Sequence, residues 1–241
     1  MFHLAGQPGV RSFGDVFPLY LRRNVLASQR VFEAASAAGV RVVFASSSTV
    51  YGDAERYPTR EDATPVPISP YGVTKLTCEH LAHAYARGFG LDVVTLRYFT
   101  VYGPRQRPDM AFARMLEALL EGAPFELFGD GSQSRGFTYV GDAVDATIAA
   151  MERGRGLYNV GGGDEATMQE AIALAEELSG RTLDVRTVGA AKGDVRRTAA
   201  DISRIRGDLG WQPQVDLRAG LQAHWEWTRR FAGQAGKSPR R

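Results

Sequence analysis

The sequence predicts an α/β fold: a doubly wound parallel sheet, followed by a smaller α/β lobe. Three observations predict it. Arg41-Val42-Val43-Phe44-Ala45 and Val93-Val94-Thr95-Leu96 are near-continuous apolar runs, the pattern of strands covered on both faces. Long stretches of helical spacing separate them. Strand and helix alternate, which favours parallel pairing over hairpins.

Taken in order, Phe2 to Ala5 is a short apolar run entering the loop Gly6-Gln7-Pro8-Gly9. From Val16 to Ala38, Phe17, Leu21, Val25, Leu26, Val31, Phe32 and Ala35 recur on one helical side, with Gly39 at the usual terminating position. The strand Arg41–Ala45 follows, then a helix from Tyr71 to Phe89 and the strand Val93–Leu96. After Pro104 the elements shorten: helix Ala111–Glu121, strand Phe125–Phe128, helix Val140–Met151, strand Leu157–Val160, then helices Met168–Ser179, Ile202–Leu209 and Leu217–Phe231. The expected organisation is a partial dinucleotide-type unit over residues 1–104, a substrate lobe interwoven with it over 105–232, and a flexible tail over 233–241.

Composition excludes several classes. The chain has 241 residues, 44% hydrophobic and 23% charged, with a formal charge of +2. Part of that excess sits in Lys237, Arg240 and Arg241, so no nucleic-acid surface is indicated. Cys78 is the single cysteine, so no internal disulfide forms and a reducing compartment is expected. The N-terminus lacks the pattern of a secretory signal, and no apolar run approaches the roughly 20 residues of a membrane span. A cytoplasmic protein is expected.

A dinucleotide site ordinarily opens with a strand, a spaced glycine turn and a helix N-terminus that receives the pyrophosphate. The one dense glycine cluster, Gly161-Gly162-Gly163, lies late and has the wrong spacing. The expectation is therefore a truncated dinucleotide fold whose first βαβαβ unit is missing.

Tyr71 and Lys75 stand four residues apart at the start of a helix, on one face. An ammonium beside a phenol favours phenolate, pulling the tyrosine toward neutrality and making it a general base. Ser46-Ser47-Ser48-Thr49-Val50-Tyr51-Gly52 follows the strand Arg41–Ala45, at the carboxyl edge where such sheets bind ligands. Leu96-Arg97-Tyr98-Phe99-Thr100-Val101-Tyr102-Gly103-Pro104 follows the next strand in the same way.

With S-P-Y-G-V-T-K, R-Q-R-P-D-M and G-D-G-S-Q-S-R-G-F-T-Y-V-G-D-A, these segments in this order resemble the extended short-chain dehydrogenase/reductase family, and within it the nucleotide-sugar 4-epimerases. The resemblance covers residues 2–231. It implies a Rossmann-type fold lacking its N-terminal glycine-rich segment, NAD as cofactor, a UDP-sugar substrate, and a homodimer through a four-helix interface built from the helices around 16–38 and 71–89. It also implies roles residue by residue. Tyr71 is the base, Lys75 its partner and a ligand of the nicotinamide ribose, and Ser47 the proton relay to the sugar 4-OH. Asn24 supports the lysine. Ala5, Tyr98 and Phe99 line the cofactor. Ser48, Thr100, Arg107, Phe128, Arg135 and Asp194 meet the nucleotide sugar. Gly136 departs from the aspartate usual after that arginine, and Gly6 from the usual alanine.

Related dehydratases carry Asp-Glu after the active-site threonine, and related decarboxylases a glutamate before V-Y-G. Ser48 and Thr49 occupy those positions here, and neither is an acid. Thr100 and Arg107 match the pattern of UDP-glucuronate 4-epimerases, where a cation suits a uronate, while a related UDP-hexose stays open. Two other outcomes remain: a nucleotide-sugar dehydratase, and an inactive chain that holds a nucleotide sugar without NAD.

Overall fold

Alternation along one strand decides the layering of the molecule. The computed structural model describes residues 1–10, 14–189 and 195–231. It opens with β1 (Phe2–His3), a 3₁₀ turn (Gly14–Val16), α1 (Phe17–Tyr20), a π-helical turn (Leu21–Leu26) and α2 (Ala27–Ala37). Next come β2 (Val42–Ser47), a 3₁₀ turn (Ser48–Val50), α3 (Pro70–Phe89), β3 (Val93–Tyr98) and β4 (Thr100–Tyr102). The chain continues through α4 (Ala111–Glu121), β5 (Phe125–Phe128), β6 (Ser134–Tyr139), α5 (Val140–Arg153), β7 (Gly156–Val160), β8 (Glu165–Thr167) and α6 (Met168–Ser179). It ends with β9 (Val185–Val188), β10 (Arg197–Thr198), α7 (Ser203–Leu209) and α8 (Leu217–Phe231).

The first sheet has the order β1-β2-β3-β7 and is parallel throughout. Along β2, Val42 and Phe44 join Phe32, Ala35, Cys78 and Ala82 beneath α2 and α3. Val43 points the other way, into Val94, Leu96, Ala146, Ala150 and Ile205 beneath α5 and α7. Successive strand residues face opposite sides, so a run apolar at every position must be sandwiched. Burying each such side chain contributes about 1.5–3 kcal/mol. β7 reaches this sheet only after the chain has built part of the second lobe, so the two are interwoven.

The second lobe holds the parallel strands β10-β6-β4, with β8 antiparallel to β6, and a separate parallel pair β5-β9. Its core gathers Tyr102, Phe112, Leu116, Leu119, Phe137 and Leu221, with the Phe112 and Phe137 rings 4.6 Å apart.

The first strand ends at His3, earlier than expected, and leaves Leu4 and Ala5 exposed. The second runs on to Ser47, because Ser46 and Ser47 pair in register with Arg97 and Tyr98. The strands β4, β6, β8, β9 and β10 escaped the sequence reading. β6 in particular carries Ser134, Arg135 and Gly136, and shows no apolar run. Among the described residues no helix is long and apolar enough to cross a membrane.

Candidate active site

The carboxyl end of β2 and the first turn of α3 meet at a close backbone approach. Ser69 caps α3, its Oγ accepting from the Gly72 amide at 3.1 Å, and Pro70 occupies the first turn. A Cβ at Gly72 would lie 2.6 Å from the Thr49 carbonyl oxygen. Glycine there lets the helix press onto the turn Ser48–Val50. That turn is capped by Ser47, whose Oγ accepts from the Thr49 amide at 3.3 Å and from Thr49 Oγ1 at 3.0 Å. The Tyr71 phenol faces the same Ser47 side chain, whose hydroxyl favours its ionised form.

The phenol of Tyr71 is pushed up to about 12, chiefly because burial penalises phenolate. The neighbouring Ser47 hydroxyl and the charge of Arg107 oppose that rise. This corrects the expectation that Lys75 draws the phenol toward neutrality. Lys75 Nζ lies 5.8 Å from the Tyr71 ring centre and 5.1 Å from that of Phe44, and it donates to the Ala45 carbonyl at 2.6 Å. With the ammonium turned to the sheet backbone, desolvation wins. Lys75 itself is 5% exposed. Burial lowers its pKa, against the opposing influence of Cys78 and Glu79.

Asn24 is buried in the π-helical turn, and so is no solvent-facing residue. Its Nδ2 donates to the Gln7 carbonyl and to Thr74 Oγ1, both at 3.0 Å. Its Oδ1 accepts from the Gln7 amide at 2.6 Å, and its main-chain carbonyl accepts from Cys78 Sγ at 3.5 Å. Asn24 thus joins the loop after β1 to α3, one residue before Lys75. That loop passes directly over the lysine. Ala5 is exposed, and a Cβ on Gly6 would lie 3.2 Å from Asn24 Oδ1 and 3.5 Å from Lys75 Nζ. Ser47, Tyr71, Lys75, Asn24 and Ala5 therefore surround the carboxyl edge of β1 and β2.

The other expected residues divide. Tyr98 ends β3 beside Ser47, but its hydroxyl bonds Thr147 Oγ1 at 2.6 Å and its ring packs toward α5. Its main chain is what it can offer the sheet edge. Phe99 is buried against Val50 and Tyr51, and a Cβ on Gly161 would come 3.0 Å from its ring. Ser48 borders a small crevice with Tyr57, Phe99 and Arg197. Thr100 pairs with Phe137 in the second lobe. Arg107 forks onto Asp109, Nε to Oδ1 at 2.8 Å and Nη2 to Oδ2 at 2.9 Å. Arg135 donates to the Ser134 carbonyl at 2.8 Å and to that of Val195 at 2.6 Å. Phe128 lies at the end of β5, 5.9 Å below the Arg114 guanidinium. Asp194 lies outside the described residues.

Sequence reasoning missed a buried polar group under this site. Glu79 accepts from Arg97 Nε at 2.9 Å and Nη2 at 2.6 Å, and from Ser46 Oγ. The signal was present: Glu79 follows Lys75 by one further helical step, and Arg97 immediately precedes Tyr98. Among the described residues no cluster of histidine, cysteine or carboxylate side chains has the arrangement of a metal site.

The model of the NAD dependent epimerase/dehydratase family matches residues 1–161. The uncharacterised UDP-glucose epimerase YtcB of Bacillus subtilis is 42% identical over 92% of this chain and 71% of its own length. A crystal structure of the UDP-glucuronic acid 4-epimerase of Bacillus cereus in complex with UDP-glucuronic acid and NAD superposes with a TM-score of 0.92. It is 40% identical and covers 95% of this chain and 74% of its own. MoeE5 in complex with UDP-glucuronic acid and NAD gives a TM-score of 0.91 at 47% identity, covering 95% of this chain and 78% of its own.

Proposed function

The chain belongs to the NAD dependent epimerase/dehydratase family, and from that premise we propose that it inverts C4 of a UDP-sugar, a UDP-uronate or a related UDP-hexose, through a 4-keto sugar. The observation that carries the reading is the contact of Tyr71 with Ser47 at the sheet edge, with Lys75 beneath and the charge of Arg107 reaching the phenol. The similar structures hold UDP-glucuronic acid or UDP-glucose together with NAD, in keeping with a UDP-uronate or UDP-hexose, and the cation at Arg107 is what favours the uronate.

The residues present suit the nicotinamide end of NAD. Ala5 and Gly6 are exposed in the loop over Lys75, and Lys75 and Tyr71 would hold the ribose. A bound NAD would supply reversible hydride acceptance at the sugar C4. Tyr71 removes the 4-OH proton through Ser47 and gives it back after the keto sugar has turned. Ser47, held by Thr49, keeps that path short. Lys75, whose ammonium now donates to the Ala45 carbonyl, would hold the cofactor ribose and supply the positive charge nearest the phenolate. Arg107 exchanges Asp109 for the sugar carboxylate, while Arg135 and Asp194 take the diphosphate and the nucleotide ribose. Phe128 walls the base.

Ser48 and Thr49 disfavour the dehydratase alternative. The Thr49 hydroxyl is committed to Ser47, and neither residue supplies an acid. We read the protein as a cytoplasmic homodimer joined through α1–α2 and α3, on which Leu26, Val73 and Phe89 are exposed.

The test is direct. The chain is incubated with NAD and UDP-glucuronate, and the 4-epimer is followed by NMR. Epimer formation supports the reading. A chain that binds UDP-glucuronate but neither retains NAD nor produces the epimer is the inactive nucleotide-sugar binder instead.

A further inference from the structure

Successive residues of β2 face three successive turns of α3. The Ala45 carbonyl accepts from Lys75 Nζ at 2.6 Å, Ser46 Oγ donates to Glu79 Oε1, and Ser47 faces Tyr71. Tyr71, Lys75 and Glu79 are separated by four-residue steps, so they line one face of the helix. Of these contacts, the middle one is ionic. Arg97, the β3 partner of Ser46 in register, forks onto Glu79 with its Nε and Nη2 at 2.9 and 2.6 Å. Its Nη1 donates to the Glu61 carbonyl at 3.2 Å, and its guanidinium lies 4.6 Å from the ring centre of Tyr51. The Arg97 and Glu79 side chains are 5% and 7% exposed. A buried ion pair contributes little net stability compared with apolar side chains of the same volume, so stability does not explain its presence.

We propose that Glu79 and Arg97 are positioning residues: their ion pair, pinned to β2 through Ser46, fixes the register and the local charge that set Lys75 and Tyr71 opposite Ser47. This rests on the function proposed above. The ionisable groups around Lys75 are Tyr71, Cys78 and Glu79 on its own helix and His3 on β1. Glu79 is the carboxylate among them, and it favours the ammonium that burial disfavours.

The test pairs Glu79→Gln with the apolar double variant Glu79→Leu/Arg97→Met. Kinetics of UDP-glucuronate epimerisation, thermal denaturation and competitive amine labelling of Lys75 read by peptide mass spectrometry are measured on each. The other lysines, Lys192 and Lys237, serve as internal references. Glu79→Gln is expected to lower kcat at least tenfold with KM within about threefold, and to raise Lys75 labelling several-fold at pH 8. The double variant is expected to recover the wild-type melting temperature while its kcat stays at least tenfold down. A double variant with wild-type kcat overturns the proposal. So does a Glu79→Gln variant that loses melting temperature alone, with unchanged kcat and labelling. If the wild-type chain does not epimerise, the functional reading fails. Lys75 labelling then decides this proposal separately, and unchanged reactivity in Glu79→Gln overturns it.

Discussion

Arg107 and Asp109 form a forked ion pair, with nitrogen–oxygen distances of 2.8 and 2.9 Å, in a loop whose charge also reaches the Tyr71 phenol. The arginine proposed to receive a sugar carboxylate therefore already holds one. Its side chain is 45% exposed, so exchange is open to solvent. Arg107→Ala is expected to lower kcat/KM for UDP-glucuronate by about 10–100-fold, the loss of a charged hydrogen bond, and to change UDP-glucose little. Asp109→Asn removes the competitor and should lower KM for UDP-glucuronate. A wild-type rate on UDP-glucuronate in Arg107→Ala sinks the uronate assignment.

Tyr71→Phe is expected to cut turnover by at least about 10²-fold, the scale of general acid–base contributions, and to leave UDP-sugar affinity nearly intact by calorimetry. In the cofactor-free chain the phenol, held at about 12, should ionise above pH 11. The difference in phenolate absorbance between wild type and Tyr71→Phe measures this. Ionisation near pH 7 would place Lys75 in control of the phenol after all.

Gly72→Ala brings a methyl to 2.6 Å from the Thr49 carbonyl. The obstacle is backbone in the 3₁₀ turn that follows β2, not a side chain that can swing aside. The substitution should cost about 1–3 kcal/mol, seen as a fall in melting temperature. It should also weaken turnover, because relief of the clash lifts Tyr71 from Ser47.

His224, inside α8, is 1% exposed, and its Nδ1 has no hydrogen-bond partner among the described residues. Burial lowers its pKa from 6.5 to about 4. The unfolded chain then binds a proton that the folded chain refuses. Stability is therefore full above pH 6.5 and falls as pH drops toward 4, by about 3 kcal/mol at most. His3, lowered by burial and by Lys75, acts with the same sign. Denaturant midpoints of wild type and His224→Phe between pH 7 and 4 check this: the variant should lose less. Parallel curves would show that His224 does not carry the dependence.

Much of the first sheet was legible because burial on both faces leaves an unbroken apolar signature, as in Val42-Val43-Phe44. The second lobe was less so. β6 runs through Ser134, Arg135 and Gly136, and its strand form comes from pairing with β4, β8 and β10, partners remote in sequence. The same holds for side-chain roles. Tyr98 sits where expected in the chain, yet its ring is claimed by Thr147, and no local pattern reports that.

The sequence by itself determined which chemistry is at hand: Tyr71 and Lys75 on one helical face, a serine cluster ending a strand, and a cation at Arg107. These follow from spacing along one element, which fixes who shares a face. Only the tertiary structure decided the electrical state of those groups. It set the phenol high and the ammonium against Ala45, and placed the Glu79–Arg97 pair beneath them, because desolvation and charge pairing depend on what other elements bring close.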